Sequence, residues 1–77
     1  MQLLHTTKDL GECIRRRRKY LGYTQAFVAE YAGVSASFLS ELENGKETIQ
    51  LNKALLIIQL LGMDLAMMAR GNDDENA

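Results

Sequence analysis

Two stretches of the sequence hold side chains suited to binding a polyanion. Five positively charged residues follow one another from Arg15 to Lys19. Residues 33–46, GVSASFLSELENGK, combine serine hydroxyls and carboxylates with small neighbours. Cationic side chains neutralise phosphates, and hydroxyl groups donate to or accept from phosphates and base edges. The cationic run fits either a solvated helix face or a surface of this kind.

The net charge of −1 argues against a nucleic-acid binder, but the charges are unevenly distributed. The last seven residues, GNDDENA, contain three acidic side chains. Without these three negative charges, the net charge of −1 becomes +2 for residues 1–70. We therefore expect a basic folded domain over residues 1–70 and a disordered acidic tail over residues 71–77.

The sequence lacks the residue groupings of an enzyme or a metal site. Cys13 is the only cysteine and His5 the only histidine, so neither an internal disulfide nor a zinc-ligand pattern is possible. No nucleophile–base pair or phosphate-binding glycine loop is present. We predict no catalytic activity, no cofactor and no metal. Cys13 fits a partly buried helix thiol better than a redox group.

Length and composition indicate one small globular domain. A chain of 77 residues buries only about 60% of its unfolded surface, so we expect oligomerisation to add stability. The 47% hydrophobic and 25% charged content is ordinary for a globular protein. No apolar segment approaches the roughly 20 residues of a membrane helix, and the amino end lacks a secretory pattern. We expect a cytoplasmic protein.

Glycine and hydroxyl residues divide the chain into four predicted helices. Gly22, Gly33, Gly45 and Gly62 lie where apolar periodicity stops, as left-handed caps at helix carboxyl ends do. Hydroxyl residues precede three helices as amino-terminal caps, the first with Asp9 in an acidic capping box. The predicted helices cover residues 7–21, 25–32, 36–43 and 51–61.

Apolar spacing predicts which face each helix buries. The expected core residues are Leu10, Ile14, Leu21, Val28, Ala29, Ala32, Leu39, Leu42, Leu51, Leu55 and Ile58. The fourth helix also has a second apolar flank, formed by Leu56, Ile57 and Leu60. This helix is therefore apolar over a wider arc than one core requires.

Residues 64–69 have the period-two pattern of a strand, with Leu65, Met67 and Ala69 on one side. A lone strand is unstable in water because both its edges carry unpaired backbone groups. Residues 2–5 are the other extended candidate, but the same strand of a second copy is the more economical partner. We expect a homodimer closed by this two-stranded lid, which would also cover the apolar flank of the fourth helix.

The second and third helices, joined by Gly33–Val34–Ser35, have the layout of a helix-turn-helix. Ala29 and Gly33 are small enough for the two helices to cross closely, and Val34 is an apolar plug for the turn. Short side chains on the third helix suit a groove about 12 Å wide. The expected groove-facing residues are Ala36, Ser37, Ser40 and Glu41.

Residues 10–62 resemble the phage repressor/Cro class of helix-turn-helix proteins, also called the XRE family. The resemblance rests on the Arg-rich first helix, Gly22–Tyr23–Thr24–Gln25, Ala29, Gly33–Val34–Ser35, and Leu39 to Lys46. It implies an all-α domain of four to five helices that binds DNA.

The resemblance also implies roles for individual residues. Gln25 would bind a phosphate and brace the third helix, while Arg18 and Glu43 would form a structural ion pair. Glu41 would accept a hydrogen bond from cytosine or be repelled by phosphate. Together with our own interpretation of the sequence, the predicted DNA-binding residues are Thr24, Gln25, Ser35, Ala36, Ser37, Ser40, Glu41, Asn44, Lys46 and Arg17, with Lys19 as a further phosphate contact.

The fourth helix and the following LLGMDLAMMAR resemble HipB-like antitoxins, in which a C-terminal strand pairs across the dimer. In that family the homodimer binds palindromic operator DNA, represses its own operon and holds a HipA-like serine/threonine kinase toxin. The implied dimerisation residues are Leu56, Leu60, Leu65, Met67 and Ala69. The alternatives are a stand-alone dimeric XRE repressor and a protein-interaction adaptor that does not bind DNA.

Aromatic residues on the second helix occupy positions that the family usually leaves polar. Phe27 and Tyr31 lie four residues apart. They either cover each other and Tyr23 as a surface cluster or anchor a partner protein. We expect Phe38 to pack against the turn rather than insert between bases.

Overall fold

The computed structural model describes residues 2–71 and contains four helices. They are α1 (Thr7–Tyr20), α2 (Gln25–Ala32), α3 (Ala36–Glu43) and α4 (Leu51–Leu60). The four predicted helices are confirmed, and α1 and α4 each end one residue earlier than predicted. Residues 2–71 contain no strand, so this part of the chain is all-α.

Three helices begin at the predicted hydroxyl caps. Thr6 Oγ1 accepts a hydrogen bond from the N–H of Asp9 at 3.0 Å, and the Asp9 carboxylate accepts from the N–H of Thr6 at 3.2 Å. The backbone N–H of His5 also donates to this carboxylate, and this bond lowers the pKa of Asp9. Thr24 and Ser35 cap α2 and α3 by accepting from the N–H three residues ahead. These caps satisfy amide groups that a helix end leaves unpaired.

Gly11 allows α1 to lie directly against the carboxyl end of α3. A Cβ atom at Gly11 would lie 2.4 Å from the carbonyl oxygen of Leu42 and 2.6 Å from that of Glu43. Thr7 adds a second link, because its Oγ1 donates to the carbonyl of Gly45 at 2.8 Å. Backbone contact therefore sets the distance between α1 and α3.

All four helices contribute side chains to the hydrophobic core. Its buried members are Ile14, Val28, Ala29, Leu39, Leu42, Ala54, Ile57, Ile58 and Leu61. The partly buried side chains packed against them include Leu10, Leu21, Ala32 and Leu55. The predicted inward faces of α1, α2 and α3 are confirmed.

The prediction for α4 was wrong at two positions. Leu51 is 59% exposed, whereas Ile57, which was assigned to the outer flank, is fully buried. The inward face of the helix carries Ala54, Ile57 and Ile58 and is continued by Leu61. Because most residues of α4 are apolar, periodicity alone does not identify the buried face. The small Ala54 side chain lets this face approach the core.

Residues 63–69 follow α4 without regular secondary structure. Met67 is 94% exposed and Leu65 is 48% exposed. The predicted strand is therefore not formed within one chain, and the lid stays a prediction because its partner would be a second copy. The predicted tail lies outside the described residues, apart from Gly71. None of the helices within residues 2–71 has the length and apolar character needed to cross a membrane.

Candidate nucleic-acid interface

The helix-turn-helix consists of α2, the turn at residues 33–35 and α3. Gly33 ends α2 in the left-handed conformation with φ 74°. The N–H of Val34 donates to the carbonyl of Ala29 at 2.9 Å, and the Val34 side chain packs against the core. Ser35 then begins α3 as its cap. This short turn fixes the direction of α3 relative to α2.

Helix α3 presents its small side chains to solvent. Ala36, Ser37 and Glu41 are exposed, and Ser40 is half-buried. The two leucines of the helix are buried in the core. An exposed helix face with short side chains fits the DNA major groove, which is about 12 Å wide.

A Schellman motif closes the carboxyl end of α3. The N–H of Gly45 donates to the carbonyl of Leu42 at 3.1 Å, and the N–H of Lys46 donates to the carbonyl of Glu41 at 3.0 Å. Asn44 Nδ2 donates to a carbonyl one turn earlier at 2.9 Å. These bonds hold Asn44 and Lys46 beside the end of α3.

A buried ion pair joins α1 to the end of α3. Arg18 Nε lies 2.6 Å from Glu43 Oε2, and Arg18 Nη2 donates to Glu43 Oε1 at 3.0 Å. Arg18 is 7% exposed and Glu43 is 4% exposed. The hydrogen bond from Arg18 to Glu43 raises the pKa of Arg18, so the guanidinium stays charged. Arg18 Nη1 also donates to the carbonyl of Tyr23 at 2.8 Å, which ties the α1–α2 loop to the pair.

Gln25, the first residue of α2, belongs to the same network. Its Nε2 donates to Glu43 Oε1 at 2.9 Å. No buried side-chain nitrogen or oxygen within residues 2–71 lacks a hydrogen-bond partner. Since a carboxamide has two N–H donors, one braces Glu43 and the other remains for a further acceptor.

A shallow, open concavity lies between the amino end of α2 and the ion pair. It is lined by Arg15, Arg18, Thr24, Gln25, Glu43 and Asn44. The structure thus brings together three predicted DNA contacts, Thr24, Gln25 and Asn44. The amide groups of a helix amino end favour an anion, and the exposed Arg15 adds a positive charge. Arg15 was not predicted here, although its position three residues before Arg18 places both on one face of α1.

Comparison with known proteins identifies the family of this chain. The helix-turn-helix profile HTH_3 matches residues 14–67, which is more than half of the chain. The chain belongs to the XRE family of helix-turn-helix proteins. The predicted family is therefore confirmed.

This XRE-family protein has a curated relative that is a regulator, and its fold is similar to that of several HipB structures. The uncharacterized HTH-type transcriptional regulator y4mF of Sinorhizobium fredii is 37% identical over 68 residues, which cover 88% of this chain and 90% of the relative. The HipB-O4 20mer complex has a TM-score of 0.83 at 21% identity, covering 92% of this chain and 100% of that one. The HipA-HipB-O2-O3 complex has a TM-score of 0.84 at 21% identity, with the same coverage. At these identities the structures establish a common fold.

Two further cations of α1 in this XRE-family protein, Arg17 and Lys19, differ from each other in their surroundings. Arg17 is half-buried, its Nε donates to the carbonyl of Leu61 at 2.8 Å, and its guanidinium lies 5.4 Å from the centre of the Tyr20 ring. Its Nε therefore satisfies a carbonyl at the carboxyl end of α4, and its phosphate contact stays a prediction. Lys19 is exposed and stays a predicted phosphate contact.

An aromatic cluster lies on the exposed side of α2. The ring centres of Tyr23 and Phe27 are 4.9 Å apart, and those of Phe27 and Tyr31 are 6.3 Å apart. The rings cover one another, which is the first of the two predicted arrangements. Phe38 is half-buried and packs against the core.

Proposed function

We propose that this XRE-family protein is a sequence-specific transcriptional repressor that inserts α3 into the DNA major groove. The observation that carries the proposal is the orientation of α3, whose small residues face solvent while its leucines are buried in the core. The Ser37 hydroxyl can donate to or accept from a base edge, and Ala36 offers methyl contact to thymine. Ser35 and Ser40 flank these two contacts.

Contacts to the DNA backbone would come from the concavity beside α3. A phosphate there would accept from the second amide N–H of Gln25 and from the amino end of α2, which Thr24 caps. Arg15 and Lys46 would supply positive charge, and Asn44 would lie beside them. Such contacts position α3 on the duplex without reading its sequence.

A homodimer would give the repressor two reading helices. Two-fold symmetry would place two α3 helices in successive major grooves, about 34–36 Å or a multiple of this distance apart, on an inverted repeat. Apolar side chains outside the core support an interface of this kind, since Leu56 is 40% exposed and Met67 is 94% exposed. The proposed dimer surface comprises Leu56, Leu60, Leu65, Met67 and Ala69.

A HipB-like antitoxin is the more specific form of this proposal. The likeness in fold to HipB covers 92% of the chain, and one of the similar structures is a HipA-HipB-O2-O3 complex. In this role the homodimer would bind a palindromic operator, repress its own operon and hold a HipA-like kinase toxin. Co-expression with the product of a neighbouring kinase-like gene should give a complex that co-purifies with this protein.

A stand-alone XRE repressor is the second candidate. It is favoured by the 37% identical relative, whose name describes a transcriptional regulator and no toxin partner. The absence of a kinase-like neighbour, together with operator binding, would support this candidate over the antitoxin.

An electrophoretic mobility shift with DNA from upstream of the gene tests the proposed function. We expect a discrete complex whose affinity falls steeply between about 50 and about 200 mM salt, because phosphate contacts release counterions. Ser37→Glu should abolish the complex by placing a carboxylate in the groove. Ser37→Ala is the matched control and should only weaken the complex, because it removes one hydroxyl contact without adding charge. An adaptor that does not bind DNA would give no complex at any salt concentration.

A further inference from the structure

Glu41 and Lys46, both predicted to touch DNA, contact each other in the structure. Lys46 Nζ lies 3.2 Å from Glu41 Oε2, and the two side chains are 47% and 48% exposed, respectively. The Schellman motif fixes their spacing, because the N–H of Lys46 donates to the carbonyl of Glu41 at 3.0 Å. The backbone therefore places the two side chains within reach of each other.

We propose that Glu41 weakens the contact of Lys46 with the DNA backbone and does not read a base. Glu41 is the sixth residue of the eight-residue helix α3, whereas the reading helix of a helix-turn-helix contacts bases mainly through its amino-terminal residues. A base-reading glutamate would accept a hydrogen bond from cytosine. In the structure one of its oxygens instead faces the ammonium group of Lys46.

The pair would set how strongly the protein holds the DNA backbone. This inference rests on the proposed function. An ammonium group has three donors, so Lys46 can contact a phosphate while one N–H stays on Glu41. The carboxylate also repels the phosphate and lowers the net charge at this contact. Because backbone contacts carry no sequence information, weakening one of them increases the share of binding that comes from base contacts.

The test compares Glu41, which contacts Lys46, with Glu47, which follows Lys46 in the sequence. Glu41→Gln and Glu47→Gln each remove one negative charge from an exposed side chain near Lys46. Affinity for a pool of randomised DNA duplexes is measured for both variants, alone and with Lys46→Gln. We expect Glu41→Gln to raise affinity for the pool about two- to fivefold more than Glu47→Gln does, a range set by the strength of an exposed ion pair. This difference should disappear when Lys46 is replaced.

Selection of preferred sequences from the pool then tests base reading. If Glu41 acts only through Lys46, the wild type and Glu41→Gln select the same sequence. Equal affinities for Glu41→Gln and Glu47→Gln would overturn the inference, as would a change of the preferred base at one position. Thermal melting checks that both variants remain folded. A wild type that binds no duplex at any salt concentration would instead refute the proposed function.

Discussion

Replacing Arg18 by alanine tests the central ion pair of the structure. The change removes two bonds to Glu43 and one to the carbonyl of Tyr23. Glu43 is 4% exposed, so its carboxylate would stay buried with Gln25 as its remaining side-chain partner. Leaving one member of a buried pair unpaired costs about 3–5 kcal/mol.

This loss is large compared with the stability of so small a domain. A chain of 77 residues has a free energy of unfolding of about 4–12 kcal/mol. Urea unfolding at one fixed protein concentration should show a much lower midpoint for Arg18→Ala with an unchanged slope. The melting temperature should fall by more than about 12 °C, since each kcal/mol corresponds to about 4–8 °C in a domain of this size.

Two further variants separate the ion pair from general effects of charge. Arg15→Ala removes an exposed arginine from the same helix and should change stability by no more than about 0.5 kcal/mol. Replacing both partners, with Arg18→Met and Glu43→Leu, should recover most of the loss because no buried charge is left unpaired. Equal midpoints for Arg18→Ala and Arg15→Ala would refute this reasoning.

Three other perturbations have expected outcomes. Gly11→Ala should lower the free energy of unfolding by about 1–3 kcal/mol, and with it the urea midpoint, because the added Cβ would overlap the carbonyl of Leu42. An unchanged midpoint would mean that α1 can move away from α3 at little cost. Asp9→Asn should reduce the melting temperature at neutral pH. The pKa of Asp9 is lowered in the folded state, so its carboxylate stabilises the fold at a pH above the ordinary pKa of 3.8. This contribution is lost as the pH falls through the lowered pKa. A difference in melting temperature between the variant and the wild type that persists in strong acid would contradict this. Deleting residues 64–77 should dissociate the dimer in sedimentation experiments and weaken operator binding, and a truncated protein that stays dimeric with unchanged binding would exclude the lid.

Local signals in the sequence were sufficient to predict the helices. Thr6, Thr24 and Ser35 were expected as caps, and each accepts the backbone hydrogen bond that a cap requires. Gly33 and Gly45 end α2 and α3 with positive φ, as expected. These features depend on residues only a few positions apart, so one sequence contains enough information to identify them.

Features that depend on distant residues were harder to predict. Gly11 has no local signal, because its role comes from the backbone of α3 about thirty residues away. The contact of Arg17 with the carbonyl of Leu61 was not predicted, since the sequence does not reveal that the end of α4 lies beside Arg17. The roles of the outward face of α4 and of residues 64–69 stay predictions, because their predicted partner is a second copy of the chain.

The outward face of α3 was predicted correctly because the two leucines of this helix define its buried side. The pairing of Glu41 with Lys46 was not predicted, although the Schellman motif that holds them together ends in the predicted glycine cap at Gly45. Knowledge of cap geometry could have suggested this pair.

The residues that fasten α3 to α1 lie apart from the residues of α3 that are proposed to read DNA. Gly11, Thr7 and Arg18 hold the carboxyl end of α3 through backbone atoms and Glu43. The exposed positions Ala36 and Ser37 lie at the opposite end of the helix. In the proposed function, substitutions there would change the preferred DNA sequence with little effect on folding. The operator preference of such a repressor would therefore diverge rapidly during evolution, and it could be redesigned without rebuilding the core.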